Sequence, residues 1–141
     1  MPEGAREALA PWVEALRAAL AADDARGVRT ASIALCAGLS AALGAPTPVV
    51  EILAVRPSED WGELHGLYTT GDEPPRIQVW MRTAKKGRVV AFKTFLRTLL
   101  HELGHHLDFE VLRLDQSFHT EGFFRRESGL VKALLPDRGG G

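Results

Sequence analysis

"TLLHELGHHLDF", residues 98–109, places three histidines and two acids within twelve residues of an otherwise apolar run. Either these groups form the wet face of a surface helix or they gather around a metal ion, and the two alternatives ask different things of the fold. A helix that turns about 100° per residue decides how they lie. With His101 at zero, His105 falls at about 40°, Asp108 at about −20°, Thr94 at about 20° and Thr98 at about 60°, so the polar groups share one face. Phe92, Phe95, Leu96, Leu99, Leu103 and Leu107 lie roughly 120° or more away and make the inward stripe. The spacing predicts an amphipathic helix that begins near Val90 and carries the whole cluster.

His101, Glu102, Leu103, Gly104 and His105 spell H-E-x-x-H. Two imidazoles one helical turn apart can reach the same ion through bonds of about 2.0–2.1 Å, the length zinc prefers. Glu102, next to one ligand, is swung out of the coordination shell. From there a carboxylate takes a proton from an attacking water and later returns it to a leaving amine. Gly104 costs about 1 kcal/mol relative to Ala inside a helix, which a close approach of other atoms would explain.

A catalytic zinc needs a third protein ligand and an open position. His119 is the preferred candidate, because "RLDQSFHTEGFF" (113–124) reads as a helix end and a polar turn that lets the chain double back. Thr120 then caps the next helix, with Glu121 in its first turn. Glu121 and Glu127 are the competing third ligands and would make a His-His-Glu site. Asp108, on the ligand face, is either a surface aspartate or the acceptor for the outer N–H of a ligating imidazole. His106 points toward the apolar side and reads as a core or boundary histidine; His65, on a predicted strand, reads the same way. Tyr68, the only tyrosine, has packing as its default role, with polarisation of a substrate carbonyl as the alternative.

Outward from the cluster, "TPVVEILAVRP" (47–57) has the proline bounds and β-branched content of a strand. "GELHGLYTTGDEPPRIQVWMRT" (62–83) offers two more, at 63–69 and 76–82, about the turn "GDEPP". Together they predict a small antiparallel meander. Ahead of them, Leu9, Trp12, Val13, Leu16 and Leu20 predict a helix over 5–22. A second helix is expected over 28–43, ended by Gly44 and Pro46. A closing helix is expected over 121–135, and the terminal residues 138–141 read as a disordered tail. Residues 1–137 thus read as a single domain of α+β class.

The 141 residues are 45% hydrophobic and 25% charged, far from the composition of chains that stay disordered. The N-terminal stretch lacks the basic segment and apolar core of an export signal, and no run of about 18 apolar residues is long enough for a membrane span. A cytoplasmic location is expected. The single Cys36 cannot form an internal disulfide and reads as a buried thiol. Charge is uneven: Arg76, Arg82, Lys85, Lys86, Arg88, Lys93 and Arg97 fall in a stretch without acids, which is either a solvated edge or a nucleic-acid-binding patch.

"HELGH" followed by "HTEGF" resembles the minimal zincin-type metallopeptidases, in particular the SprT-like group. There the H-E-x-x-H helix is joined to a third histidine that begins "HGxxF" at the mouth of the next helix. The resemblance spans about residues 76–135. It implies His101, His105 and His119 as ligands of one Zn2+ ion, Glu102 as the catalytic glutamate, and Phe123 as an aromatic packed after the third ligand. Thr120 stands where the family has glycine, and no cysteine-rich zinc ribbon follows. "HELGHHLD" also resembles other small zincins, with an aspartate after the second histidine, whose third ligand is a glutamate. The implied fold is zincin-like: N-terminal helices, a small mainly antiparallel sheet, the H-E-x-x-H helix and a closing helix. The implied activity is zinc-dependent hydrolysis of a peptide or protein substrate, laid along "RIQVWMR" as an added strand. The alternatives are a metal-retaining fold that acts as a non-catalytic binding or regulatory module, or a DNA-associated protein using residues 76–97. The oligomeric state is not legible.

Overall fold

The computed structural model describes residues 4–55, 58–59, 62–63, 66–70, 74–82, 88–110 and 121–135 of the chain. Helix α1 spans Ala5–Ala21 and buries Leu9, Val13, Leu16 and Leu20, which recur at three- and four-residue spacings. Trp12, expected in the same stripe, is 39% exposed. It sits about 60° from Leu9 on the helix, at the stripe's margin, where a large ring stays half in water. Helix α2 covers Ala25–Ala42, starting earlier than expected because Asp24 caps it, accepting the Gly27 N–H at 3.1 Å. The two helices lie close. A Cβ on Gly38 would stand only 2.4 Å from Leu9 Cδ2, so the bare backbone makes room for that leucine.

The strands are β1 (Val49–Val55), β2 (Ser58–Glu59), β3 (Gly62–Glu63), β4 (Gly66–Thr69) and β5 (Arg76–Arg82). β2 and β3 form a minimal antiparallel pair of their own. The larger sheet has the order β1-β5-β4. β4 and β5 pair antiparallel, as the turn between them predicts, with Gly66 opposite Val79 and Thr69 opposite Arg76. β1, however, runs parallel to β5, with Val49 opposite Arg76 and Val55 opposite Arg82. The sheet is therefore mixed, not the expected mainly antiparallel meander. β5 is its central strand, which also overturns the expectation that "RIQVWMR" is a free edge for substrate. The clue lies in β5 itself: Ile77, Val79, Trp80 and Met81 are all buried, the near-continuous apolar run of a strand covered on both sides.

After β5 the chain returns through an Arg82–Val89 bridge and a Val90 N–H to Met81 carbonyl bond of 2.8 Å. It then enters α3, Phe92–Glu110, and after residue 120 α4, Glu121–Leu134. One apolar cluster joins these elements. Val50 from β1, Ile77, Val79 and Met81 from β5, and Phe95, Leu96, Leu99, Leu100 and Leu103 from α3 meet Leu16, Leu35 and Leu39 from the first two helices. Val131 and Leu134 bring α4 onto it. The class is α+β. No helix among the described residues is long and apolar enough to cross a membrane. The 138–141 tail lies outside the described residues.

Cys36 is fully enclosed, and burial pushes its thiol up to about 12. Native protein at pH 8 is therefore expected to resist a chromogenic thiol reagent, and to titrate one equivalent once unfolded in guanidinium. Labelling of the native protein at the rate of a free thiol would contradict the packing of α2.

Candidate functional site

The polar side of α3 is largely covered from Thr98 onward, while Thr94 at its start is exposed. Glu102 is 8% exposed, Asp108 1%, and His106 is sealed completely. Two neighbours cover it, each taking one row of the helix.

The first is β4. A strand advances about 6.6–6.8 Å over two residues and a helix about 6 Å over four, so alternate strand residues can track successive turns. Gly66 and Tyr68 use this match to sit on the row Thr98, Glu102, His106. A Cβ on Gly66 would stand 2.9 Å from Thr98 Cγ2 and 3.1 Å from Glu102 Cγ, so only glycine lets the strand rest there undisturbed. Two residues on, the Tyr68 hydroxyl lies 3.1 Å from His106 Nδ1, while His106 Nε2 lies 2.6 Å from the Pro46 carbonyl. A carbonyl only accepts, so Nε2–H donates to Pro46 and Nδ1 accepts from the phenol. Burial raises the Tyr68 phenol, with Thr70 opposing and Glu110 adding to the rise, so it keeps the proton it donates. His106 is thus the satisfied core histidine its position suggested, and Tyr68 is its partner. His65 lies outside the described residues.

The second neighbour is α4. Glu127 Oε1 lies 2.6 Å from His101 Nδ1, and Arg97 approaches Glu127 Oε2 at 3.5 Å. Asp108, a candidate for the outer contact to a ligating imidazole, accepts from Arg126 at 2.9 Å. These bonds tie α4 across α3.

Between the two covers stand His101 and His105, half-buried, their ring centres 5.0 Å apart and nearly perpendicular. Two imidazole nitrogens bound to one ion at about 2 Å would also set ring centres about 5 Å apart, so the spacing of this edge-on pair is compatible with two ligands of one cation. No group of three metal-capable side chains gathers among the described residues. His119 and Thr120 lie outside them, as do the side chains of Glu121 and Phe123. Glu102 flanks the pair from the β4 side. Its burial lifts the carboxyl to about 7, the His101 charge opposing and Glu127 adding to the rise. A carboxyl in that range exchanges a proton in either direction near neutrality. Gly104, which lies between the two histidines in sequence, is buried.

The basic stretch is partly neutralised. Arg76 pairs with Glu51 at 3.4 Å, Arg82 with Asp23 and Arg97 with Glu127. Lys85 and Lys86 lie outside the described residues.

Gly66, Arg126 and the Pro46 carbonyl were not anticipated. A glycine inside a predicted strand is a signal of close approach, and "RRES" is a charged run within the expected closing helix. A backbone carbonyl leaves no trace in sequence. Compared with family models, with characterised proteins and with solved structures, the chain matches none.

Tyr68→Phe is expected to lower unfolding free energy in urea by about 1 kcal/mol, and His106→Leu by about 1–3 kcal/mol because the Pro46 carbonyl loses its donor. The double variant should fall short of the sum by about 0.5 kcal/mol or more. Strict additivity would mean that the two side chains do not bond.

Proposed function

We propose that this chain is a zinc-dependent peptidase of zincin-like fold. The observation that carries the reading is the pair His101 and His105 at the spacing of two ligands, with the buried carboxyl of Glu102 beside them under an edge strand. His101 and His105 would hold the ion, with His119 as the preferred third ligand. When bound, zinc polarises a carbonyl and acidifies water toward a pKa of about 7.

The chain's own residues supply the rest. Glu102 holds and moves the proton: it receives one from the attacking water and delivers it to the departing amine, so that a neutral amine leaves. Gly66 lets β4 lie close over α3 beside the Glu102 carboxylate. β4 has β5 on one side and is the outer strand of its sheet among the described residues, so a peptide added along its outer edge would pass beside Glu102. The substrate edge moves accordingly from "RIQVWMR" to "GLYT". Shared backbone hydrogen bonds would give affinity with little sequence preference. Nucleic-acid binding has less support, since three arginines of the basic stretch already face carboxylates.

Glu102→Gln is expected to lower turnover of an unfolded protein substrate by about 10²–10⁴-fold while zinc content by elemental analysis stays that of the wild type. Loss of zinc in that variant would show that the glutamate has been misassigned. Wild-type protein that holds zinc and cleaves neither unfolded protein nor a peptide library would instead be a non-catalytic module. A strong chelator should abolish activity and zinc should restore it.

A further inference from the structure

The inner face of α4 is apolar at Leu130, Val131 and Leu134, which pack on the core. One turn before them, at the position where the same stripe calls for another apolar residue, stands Glu127, 6% exposed. A buried acid is costly unless it is paired, and Glu127 has two partners from α3: the His101 Nδ1 at 2.6 Å and the Arg97 guanidinium at 3.5 Å. We infer that Glu127 is a positioning residue for His101. It takes the Nδ1–H of the imidazole, fixes the ring's orientation, and leaves Nε2 as the nitrogen that meets an ion. This rests on the reading of His101 and His105 as an ion-holding pair.

Three features carry the assignment. An ionised carboxylate only accepts, so the nitrogen facing it carries the hydrogen and the tautomer is set. The two nitrogens of an imidazole face opposite sides of the ring, so an oxygen at Nδ1 is remote from an ion at Nε2. Glu127 therefore leaves the set of candidate third ligands, in which it competed with His119 and Glu121. Finally, a carboxylate on the outer N–H makes the imidazole a better donor to a cation, and such partners are typically worth about 10–100-fold in metal affinity. Arg97, at the other carboxylate oxygen, keeps the charge on Glu127 balanced without competing for Oε1.

The test uses the full chain and the near-isosteric Glu127→Gln. Zinc affinity is measured by competition with a chromophoric chelator, the ligand field by the absorption of the cobalt-substituted protein, and the tautomer by the ring-nitrogen and ring-NH resonances of His101 in zinc-loaded protein. The expected result is affinity weakened about 10–100-fold, cobalt band intensity retained, and the Nδ1 proton moved upfield as a neutral acceptor replaces a charged one. Unchanged affinity with an unmoved Nδ1 proton overturns the inference. So does collapse of the cobalt bands, which would make Glu127 a ligand. The wild type alone gives a further reading that needs no folded variant: zinc-loaded His101 protonated at Nε2 rather than Nδ1 also overturns it. If the wild type takes up no zinc at all, the ion-holding reading itself falls, an outcome separate from these.

Discussion

The contact between a glycine and a glutamate holds this arrangement together. Gly66 lets β4 descend onto α3 until no Cβ would fit between strand and helix, and that descent covers Glu102. Everything else about the polar face follows from being covered. Carboxylate and imidazole groups that a surface helix would leave in water must find partners inside the protein, since a buried polar group left unpaired costs about 1–3 kcal/mol. His106 finds the Tyr68 phenol and the Pro46 carbonyl, Asp108 finds Arg126, and His101 finds Glu127. Where the polar side of the helix is covered, the packing is stable only if each enclosed group is matched.

The matching divides the helix into two supported rows with the His101–His105 pair between them. One row is braced by backbone and phenol from the sheet side, and the other by charged side chains from α4. The two braces differ in kind. On the sheet side the bonds are between uncharged groups and rely on close fit. On the α4 side each bond involves a carboxylate, facing an imidazole or a guanidinium, and is charge-assisted. The His101 ring is fixed from the α4 side by Glu127 and lies edge-on to His105.

Much of the helical framework was legible because periodicity reports burial directly. The stripe through Phe95, Leu99 and Leu103 and the opposite placement of His101 and His105 follow from angular spacing alone. The sheet was less legible. β-Branched content and turn-forming bounds mark "VVEILAV" and "RIQVWMR" as strands but say nothing of which strand lies beside which, or in what direction. That is why β1 was placed in a meander when it runs parallel to β5. Trp12 failed for a simpler reason: a residue at the edge of a stripe counts as apolar in sequence whether or not anything covers it. At the site, the imidazoles and Glu102 were identifiable by type and spacing. Glu127 was visible as a candidate carboxylate, but its placement at one ring nitrogen depends on how α4 crosses α3, which no local pattern encodes. Pro46 acts through its carbonyl and was invisible for that reason.

The parallel pairing of β1 with β5 bears on how the chain assembles. Each of its cross-strand partners is 27 residues away in sequence. The β4–β5 pairs span much shorter separations, as between Thr69 and Arg76. Closing the longer loop costs on the order of 1 kcal/mol more chain entropy. The β4–β5 pair can therefore form early, with β1 joining later. In such an order of events β1, the outermost strand on the far side, is the last to gain protection from solvent exchange.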